Sequence, residues 1–152
     1  MITYEQILAK DLGIELFKIA DPSIEQINKY KNKSIAIVAK NKENNIIAFI
    51  SIHRSFVTGF EINNLLVFDK YQGQDIAKEL IKRAEKIVRK QNAKYLEVCT
   101  GNSSLSALAV YQKCGLRIVG VHRDYFKTRY TEKIFENGIE CLDLIRLRKE
   151  LL

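Results

Sequence analysis

The segment Val67-Phe68-Asp69-Lys70-Tyr71-Gln72-Gly73-Gln74-Asp75-Ile76-Ala77-Lys78 joins an apolar, strand-like run to an amphipathic, helix-like one. The first turn of a helix carries backbone N–H groups without intrahelical acceptors, together with the positive end of the helix dipole. Such an end binds phosphate oxygens. Gly73 and Ala77 are small enough to let an anion approach the backbone, and Lys70 and Lys78 add positive charge. Taken alone, the segment reads equally well as an ordinary strand-to-helix turn, with Gly73 present for its backbone freedom.

Two carboxylates sit on other strand-like runs. Glu61 lies within Phe60–Val67, and Glu97 within Leu96-Glu97-Val98. Strand alternation places Glu61, Asn63 and Leu65 on one face, and Tyr95, Glu97 and Cys99 on one face. Either glutamate could take a proton directly or through a water, or serve only as an exposed or ion-paired strand carboxylate. His53 and His122 stand alone, without metal-ligand spacing, and read as structural or surface residues. Cys99, Cys114 and Cys141 are odd in number and widely spaced, which argues for reduced thiols and against a disulfide framework or zinc site. No base partner is evident that would make Cys114 a nucleophile.

These residues need elements to position them. Gly73–Asn92 carries Ile76, Ala77, Leu80, Ile81, Ala84, Ile87 and Val88 as one stripe at helical period. Glu79 with Arg83, and Glu85 with Arg89, are i,i+4 pairs in the favourable order. A second helix is predicted over Ser104–Cys114, stopped by Gly115. Strands are predicted at Ser34–Lys40, Ile46–His53, Phe60–Val67, Tyr95–Thr100, Leu116–Tyr125 and Ile139–Arg148. The first two of these form a hairpin. Helices are predicted over Tyr4–Lys18 and from Ser23 to about Lys31. This order implies an α+β or α/β layered domain: a mixed, mainly antiparallel sheet with helices on both faces.

The chain of 152 residues fits one domain with one core, and 47% hydrophobic residues suffice for it. No apolar run reaches the roughly 18–20 residues needed to cross a bilayer, and the N-terminus lacks a secretory pattern. With the cysteine usage, these features imply a cytoplasmic protein with no membrane partner. The formal charge of +7 suits a polyanionic ligand. Lysines are scattered rather than clustered, so nucleic acid is not expected as the primary partner.

Three stretches in order resemble the GNAT superfamily of N-acetyltransferases, within its small bacterial members. Gln72-Gly73-Gln74-Asp75-Ile76-Ala77 is similar to that family's coenzyme A loop, Gln/Arg-x-x-Gly-x-Gly/Ala, with Asp75 in place of the central glycine. Leu108–Leu116 resembles the helix that ends in Tyr followed by Gly and a large apolar residue. Glu61–Val67 resembles the family's fourth strand. The resemblance spans about Ile35 to Tyr125.

It implies an acyltransferase that moves the acetyl group of acetyl-CoA, a co-substrate, to a primary amine by direct attack, without a metal. Leu65, Leu66 and Val67 would pair with the pantetheine arm. Gln72, Gly73, Gln74, Asp75, Ile76, Ala77 and Lys78 would hold the pyrophosphate. Tyr111 would protonate the departing thiolate, with Glu61 or Glu97 as base and Glu61 preferred. Asn102 and Ser104 are both candidates for the family's coenzyme contact after the fifth strand. The acceptor, a small amine or peptide amine, would meet the N-terminal helices and Asp124–Gly138. There Asp124, Glu132 and Glu136 offer charge, and Tyr125, Phe126 and Tyr130 an apolar wall. A homodimer is compatible with this reading. Because Asp75 would repel a phosphate, a coenzyme A-binding protein with a degenerate, non-catalytic site is the alternative.

Overall fold

Ile35–Ala39 and Ile46–Ile50 are apolar at every position, so both faces of each run must be covered. The computed structural model describes residues 1–151. In chain order they form strand β1 (Thr3–Leu8), helices α1 (Ile14–Ala20) and α2 (Ile24–Tyr30), and strands β2 (Ile35–Lys40), β3 (Ile46–Phe56) and β4 (Gly59–Val67). Helix α3 (Ile76–Lys90), strand β5 (Tyr95–Gly101), helix α4 (Leu105–Lys113) and strand β6 (Arg117–His122) follow. Helix α5 (Tyr125–Arg129), strands β7 (Phe135–Glu136) and β8 (Ile139–Glu140), and strand β9 (Leu144–Glu150) complete the chain.

Seven strands make one sheet in the order β1-β2-β3-β4-β5-β9-β6. The α3 crossover makes β4 and β5 parallel. Every other pair is antiparallel. The mixed, mainly antiparallel sheet with helices on both faces is therefore the architecture. The larger core lies under α3, where Ile76, Leu80, Ile81, Ala84 and Val88 pack on Ile37, Ile50, Phe60 and Leu96. The smaller core lies on the other face, where Phe17 of α1 and Ile27 of α2 cover Ala36, Val38 and Phe49. The Phe17 and Phe49 rings meet edge-on at 5.0 Å. No helix among the described residues is long and apolar enough to cross a membrane.

Three expectations change. The helix expected over Tyr4–Lys18 is a strand followed by a late helix. Thr3–Leu8 satisfies the open edge of β2, with Tyr4 packed on one core and Ile7 on the other, and α1 begins only after Gly13. The strand expected over Leu116–Tyr125 ends at His122, because Asp124 adopts φ 60° and starts α5. The run Ile139–Arg148 is broken in two. Its start pairs with Phe135–Glu136 in a small hairpin, and β9 begins at Leu144.

Glu85 ties α3 to the end of the sheet. Its carboxylate accepts from Lys149 Nζ at 2.7 Å and from Arg89 Nε at 2.9 Å. Lys149 also donates to the Cys114 carbonyl at 3.0 Å, at the end of α4. Burial alone would raise the Glu85 carboxyl, but the hydrogen bonds and charges of Lys149 and Arg89 outweigh it and hold it below its ordinary value. A lowered carboxyl stabilises the fold above its unfolded pKa and loses that contribution as pH falls through the folded one. Glu85→Gln should therefore cost on the order of 1 kcal/mol at pH 7 by urea denaturation. The gap between variant and wild type should begin to narrow below about pH 4 and close only once pH is below the lowered folded pKa. A gap independent of pH would show that the ion pair contributes nothing.

Candidate active site

Asn63 is one residue more than β3 can match. Ser51 pairs with Asn64 and Ile52 with Ile62, which leaves Asn63 as a bulge in β4. The bulge reverses the alternation of the strand. Phe60 and Ile62 enter the larger core before it, and Leu65 and Val67 enter the same core after it. Asn64 instead reaches Tyr30 of α2, and Leu66 packs in the smaller core. Glu61 and Leu65 therefore do not share a face, contrary to strict alternation.

The parallel pairing of β4 with β5 runs from Gly59 and Tyr95 to Ile62 and Val98. Past that point the strands part, while β5 continues along β9 to Gly101. A cavity of about 840 Å³ occupies the opening. Asn63–Val67 of β4, Cys99 and Thr100 of β5, the turn before α3 and one flank of α4 form its wall. Ala20 and Asn64 border it from the α1–α2 side, and Val110 and Tyr111 from the α3–α4 side. The cavity thus passes through the sheet.

The turn into α3 is pinned before it opens. Gln72 Nε2 donates to the Val67 carbonyl at 3.1 Å and to Asp69 Oδ1 at 3.2 Å. Asn41 Nδ2 donates to the Tyr71 hydroxyl at 3.1 Å. Gly73 then takes φ +82° and Asp75 φ +60°. The first bond into the helix runs from Glu79 N–H to the Asp75 carbonyl at 3.1 Å. The N–H groups of Ile76, Ala77 and Lys78 therefore point out of the helix end. All three residues border the cavity, as do Gly73 and Asp75, and Lys78 and Lys113 bring charge to it. This donor set suits a diphosphate.

Tyr111 is 5% exposed and borders the cavity near the end of α4. Burial, with a smaller effect from Cys114, pushes its phenol well above its ordinary value, so it keeps its proton. Glu97 is committed to arginines. Arg148 donates to Oε2 through Nη2 at 2.8 Å and Nε at 3.1 Å, and Arg146 Nε stands 3.3 Å from Oε1. Glu61 has no such partner among the described residues. Burial raises its carboxyl, the Glu97 charge raises it further, and Lys33 partly offsets them. Its Oε1 lies 3.9 Å from His53 Nε2.

Leu65, Leu66, Val67, Gln72, Ser104 and Tyr111 all border the cavity, whereas Gln74, Asn102, Glu61 and Glu97 stand off its wall. The Asn102 side chain is engaged within the fold. Its Oδ1 accepts from the Leu142 and Asp143 N–H groups at 2.8 and 2.9 Å, and its Nδ2 donates to the Glu140 carbonyl at 3.1 Å. Asn102 thereby creates the break between β8 and β9. Ser104 Oγ donates to Glu136 Oε1 at 3.0 Å. Of the acceptor-loop carboxylates, only Glu136 borders the cavity, whereas the Asp124 N–H is bound to Asp143 Oδ1. Tyr125 and Phe126 of α5 meet edge-on, Phe126 stacks with Tyr130, and none of the three is on the cavity wall. Asn137, which donates to the Ser103 carbonyl and borders the cavity, escaped the sequence reading. Its signal was Asn137-Gly138 between Phe135 and Ile139, a tight-hairpin pair with φ 55° and 73°.

The family model described as acetyltransferase (GNAT) family matches residues 4–116. The chain belongs to this family. A GNAT relative, the uncharacterised N-acetyltransferase YvbK of Bacillus subtilis, is 34% identical over 137 residues, covering 90% of this chain and 88% of its own. Among solved GNAT-like structures, an IAA acetyltransferase from Bacillus cereus has TM-score 0.91 at 39% identity, covering 99% of this chain and 100% of the other. A GNAT acetyltransferase of Elizabethkingia anophelis with acetyl-CoA bound has TM-score 0.89 at 37% identity, covering 99% and 98%. A Bacillus subtilis acetyltransferase in complex with CoA has TM-score 0.91 at 32% identity, covering 100% of both.

The GNAT loop motif puts a glycine where this chain has Asp75, and the backbone there is left-handed. Aspartate tolerates that conformation better than most residues, so the turn keeps its shape. The carboxylate is exposed and makes no capping bond to α3. Asp75→Gly keeps the backbone and removes the charge. It should tighten coenzyme A binding several-fold, read by calorimetry at low salt, where the charge is least screened. Unchanged or weaker binding would show that the carboxylate does not oppose the phosphates.

Proposed function

We propose that this acetyltransferase moves the acetyl group of acetyl-CoA to a primary amine by direct attack. The observation that supports it most is the cavity through the sheet, with an anion-binding helix end and a protonated phenol on one side and a carboxylate near the other. The diphosphate would lie on the N–H groups of Ile76, Ala77 and Lys78. Gly73 leaves room beside it, and Lys78 and Lys113 lend charge. The pantetheine arm would run along Leu65, Leu66 and Val67, whose backbone edge faces away from β3 once β5 has parted. A backbone N–H of this stretch would donate to the thioester carbonyl as negative charge develops there.

The acceptor would enter from the α1–α2 side and lose a proton toward Glu61. Its nitrogen attacks the carbonyl, and the tetrahedral intermediate breaks the C–S bond. Tyr111 donates its hydroxyl proton to the leaving thiolate and recovers one from the acetylated nitrogen. Glu97, held by Arg146 and Arg148, is a structural ion pair in this scheme. Glu136 and Ser104 would stand at the rim where the acceptor arrives. A coenzyme A-binding protein without catalysis would use the same turn, but the relatives are acetyltransferases.

Two measurements test this. Acetyl-CoA should raise the melting temperature by mass action, and no rise at millimolar ligand would remove the proposal. Tyr111→Phe should lower kcat for thiol release over an amine panel by about 10²-fold or more while preserving that thermal shift. Full turnover in the variant would end the assignment of Tyr111 as acid.

A further inference from the structure

The α1–α2 side of the bulge holds a chain of polar side chains whose hydrogen-bond directions can be worked out from its ends. Tyr30 OH stands 3.3 Å from Asp21 Oδ2, and a carboxylate can only accept. Burial, with help from Asp21, pushes the Tyr30 phenol up to about 12, so its proton is present to donate. Tyr30 oxygen then accepts from Asn64 Nδ2 at 2.9 Å. That turns Asn64 Oδ1 toward Ser51, whose hydroxyl donates to it at 2.7 Å. Ser34 Oγ donates to the Tyr30 carbonyl at 2.6 Å.

The protons of Ser34 and Ser51 are both committed. Each hydroxyl oxygen can only accept from Asn63, whose Nδ2 lies 3.0 Å from Ser34 Oγ and 3.4 Å from Ser51 Oγ. A flipped Asn63 would set its oxygen against two oxygens with no proton to share. Asn63 Oδ1 therefore faces His53 Nδ1, at 2.6 Å. The proton of that bond belongs to Nδ1. In neutral His53, Nε2 is then a lone pair.

That lone pair faces Glu61 Oε1 at 3.9 Å. A carboxylate is also an acceptor, so the two groups present lone pairs to each other. The arrangement suits a third group that brings N–H bonds to both. We propose that His53 Nε2 and Glu61 Oε1 together seat the ammonium of the acceptor, and that His53 takes its first proton. This proposal rests on the amine-acetylating reading above and refines the part given there to Glu61.

The balance is simple. R–NH3+ gives one proton to His53 Nε2, and Glu61 stabilises the imidazolium. The freed lone pair attacks the thioester. The second proton leaves nitrogen as the C–S bond breaks and ends on the thiol, through Tyr111. His53 returns its proton to solvent. Half-buried His53 is held below its ordinary pKa by desolvation, which outweighs the Asn63 hydrogen bond, with a smaller lowering from Lys33, so it is neutral when the acceptor arrives. The groups facing the pair are Lys33 before β2, Asn63 on β4 and Cys99 and Glu97 on β5, and Glu97 is itself bound by Arg146 and Arg148 of β9. The sequence carries no sign of this, because a lone histidine on a strand has no spacing to read.

His53→Asn tests the proposal, since its Nδ2 can still donate to Asn63 while the Nε2 acceptor is lost. With an amine that the wild type acetylates, kcat/KM should fall about 10²-fold and its acid limb should move, with acetyl-CoA affinity and melting temperature kept. Wild-type kcat/KM and pH profile in the variant would overturn it. A wild type that binds acetyl-CoA but acetylates no amine would instead remove the amine reading, and this proposal with it. Nitrogen-15 spectra of the wild-type imidazole give a check that needs no variant. They should show Nδ1–H at neutral pH, and an Nε2–H tautomer would overturn the assignment.

Discussion

The extra residue in β4 decides where everything else can stand. A strand keeps its face assignment for as long as its ladder is regular. At Asn63 the ladder with β3 gains one unmatched residue, and two consequences follow at once. Asn63 and Asn64 both engage polar partners on the α1–α2 side, while Leu65 and Val67 change over to the larger core. The strand also bends away from β5, whose ladder with β4 stops at Ile62 and Val98. The same irregularity therefore opens the sheet, frees a backbone edge along the opening, and sets a polar network beside it. A regular β4 would close the sheet and leave no cavity between Tyr111 and the α1–α2 face.

Charge is distributed around this opening in a way that separates two similar carboxylates. Glu61 and Glu97 are direct partners across the parallel ladder. Their like charges repel, and burial adds to the cost. Arg146 and Arg148 resolve it for Glu97 alone, since β9 brings them to that side of β5. Glu61, one strand further from β9, is left with the raised carboxyl. The strand order thus sets the difference in chemistry, which neither glutamate's own sequence neighbourhood contains.

Much of the architecture was legible in the sequence because it depends on local pattern. The α3 stripe, the two apolar hairpin strands and the Gly115 stop each carry their own signal. Three motifs in order then pointed to the family, which the match over residues 4–116 shows. What stayed hidden depends on pairing. Thr3–Leu8 looked helical because Ile7, Leu8 and Leu12 also fit that period, and only the edge of β2 turns it into a strand. The bulge at Asn63 has no glycine to mark it. The side-chain bonds of Asn102 to Leu142, Asp143 and Glu140, about forty residues away, likewise have no local signal.

The turn before α3 shows how a departure from a family pattern can leave geometry intact and alter only electrostatics. A glycine is favoured at position 75 because the backbone there is left-handed, at φ 60° and ψ 20°. Aspartate meets that requirement at modest cost. Gln72 fixes the turn from the other side, through the Val67 carbonyl and Asp69, so the helix start does not rely on residue 75 to find its place. The N–H groups of Ile76, Ala77 and Lys78 are then presented as they would be after glycine. The residue is exposed, on a chain with a formal charge of +7. At physiological salt the screening length is about 8 Å. A single exposed negative charge is therefore a local correction to a basic surface, felt by a phosphate only when it lies against residue 75 itself. Shape at this turn is set by backbone and Gln72, and affinity by which oxygens come close to Asp75.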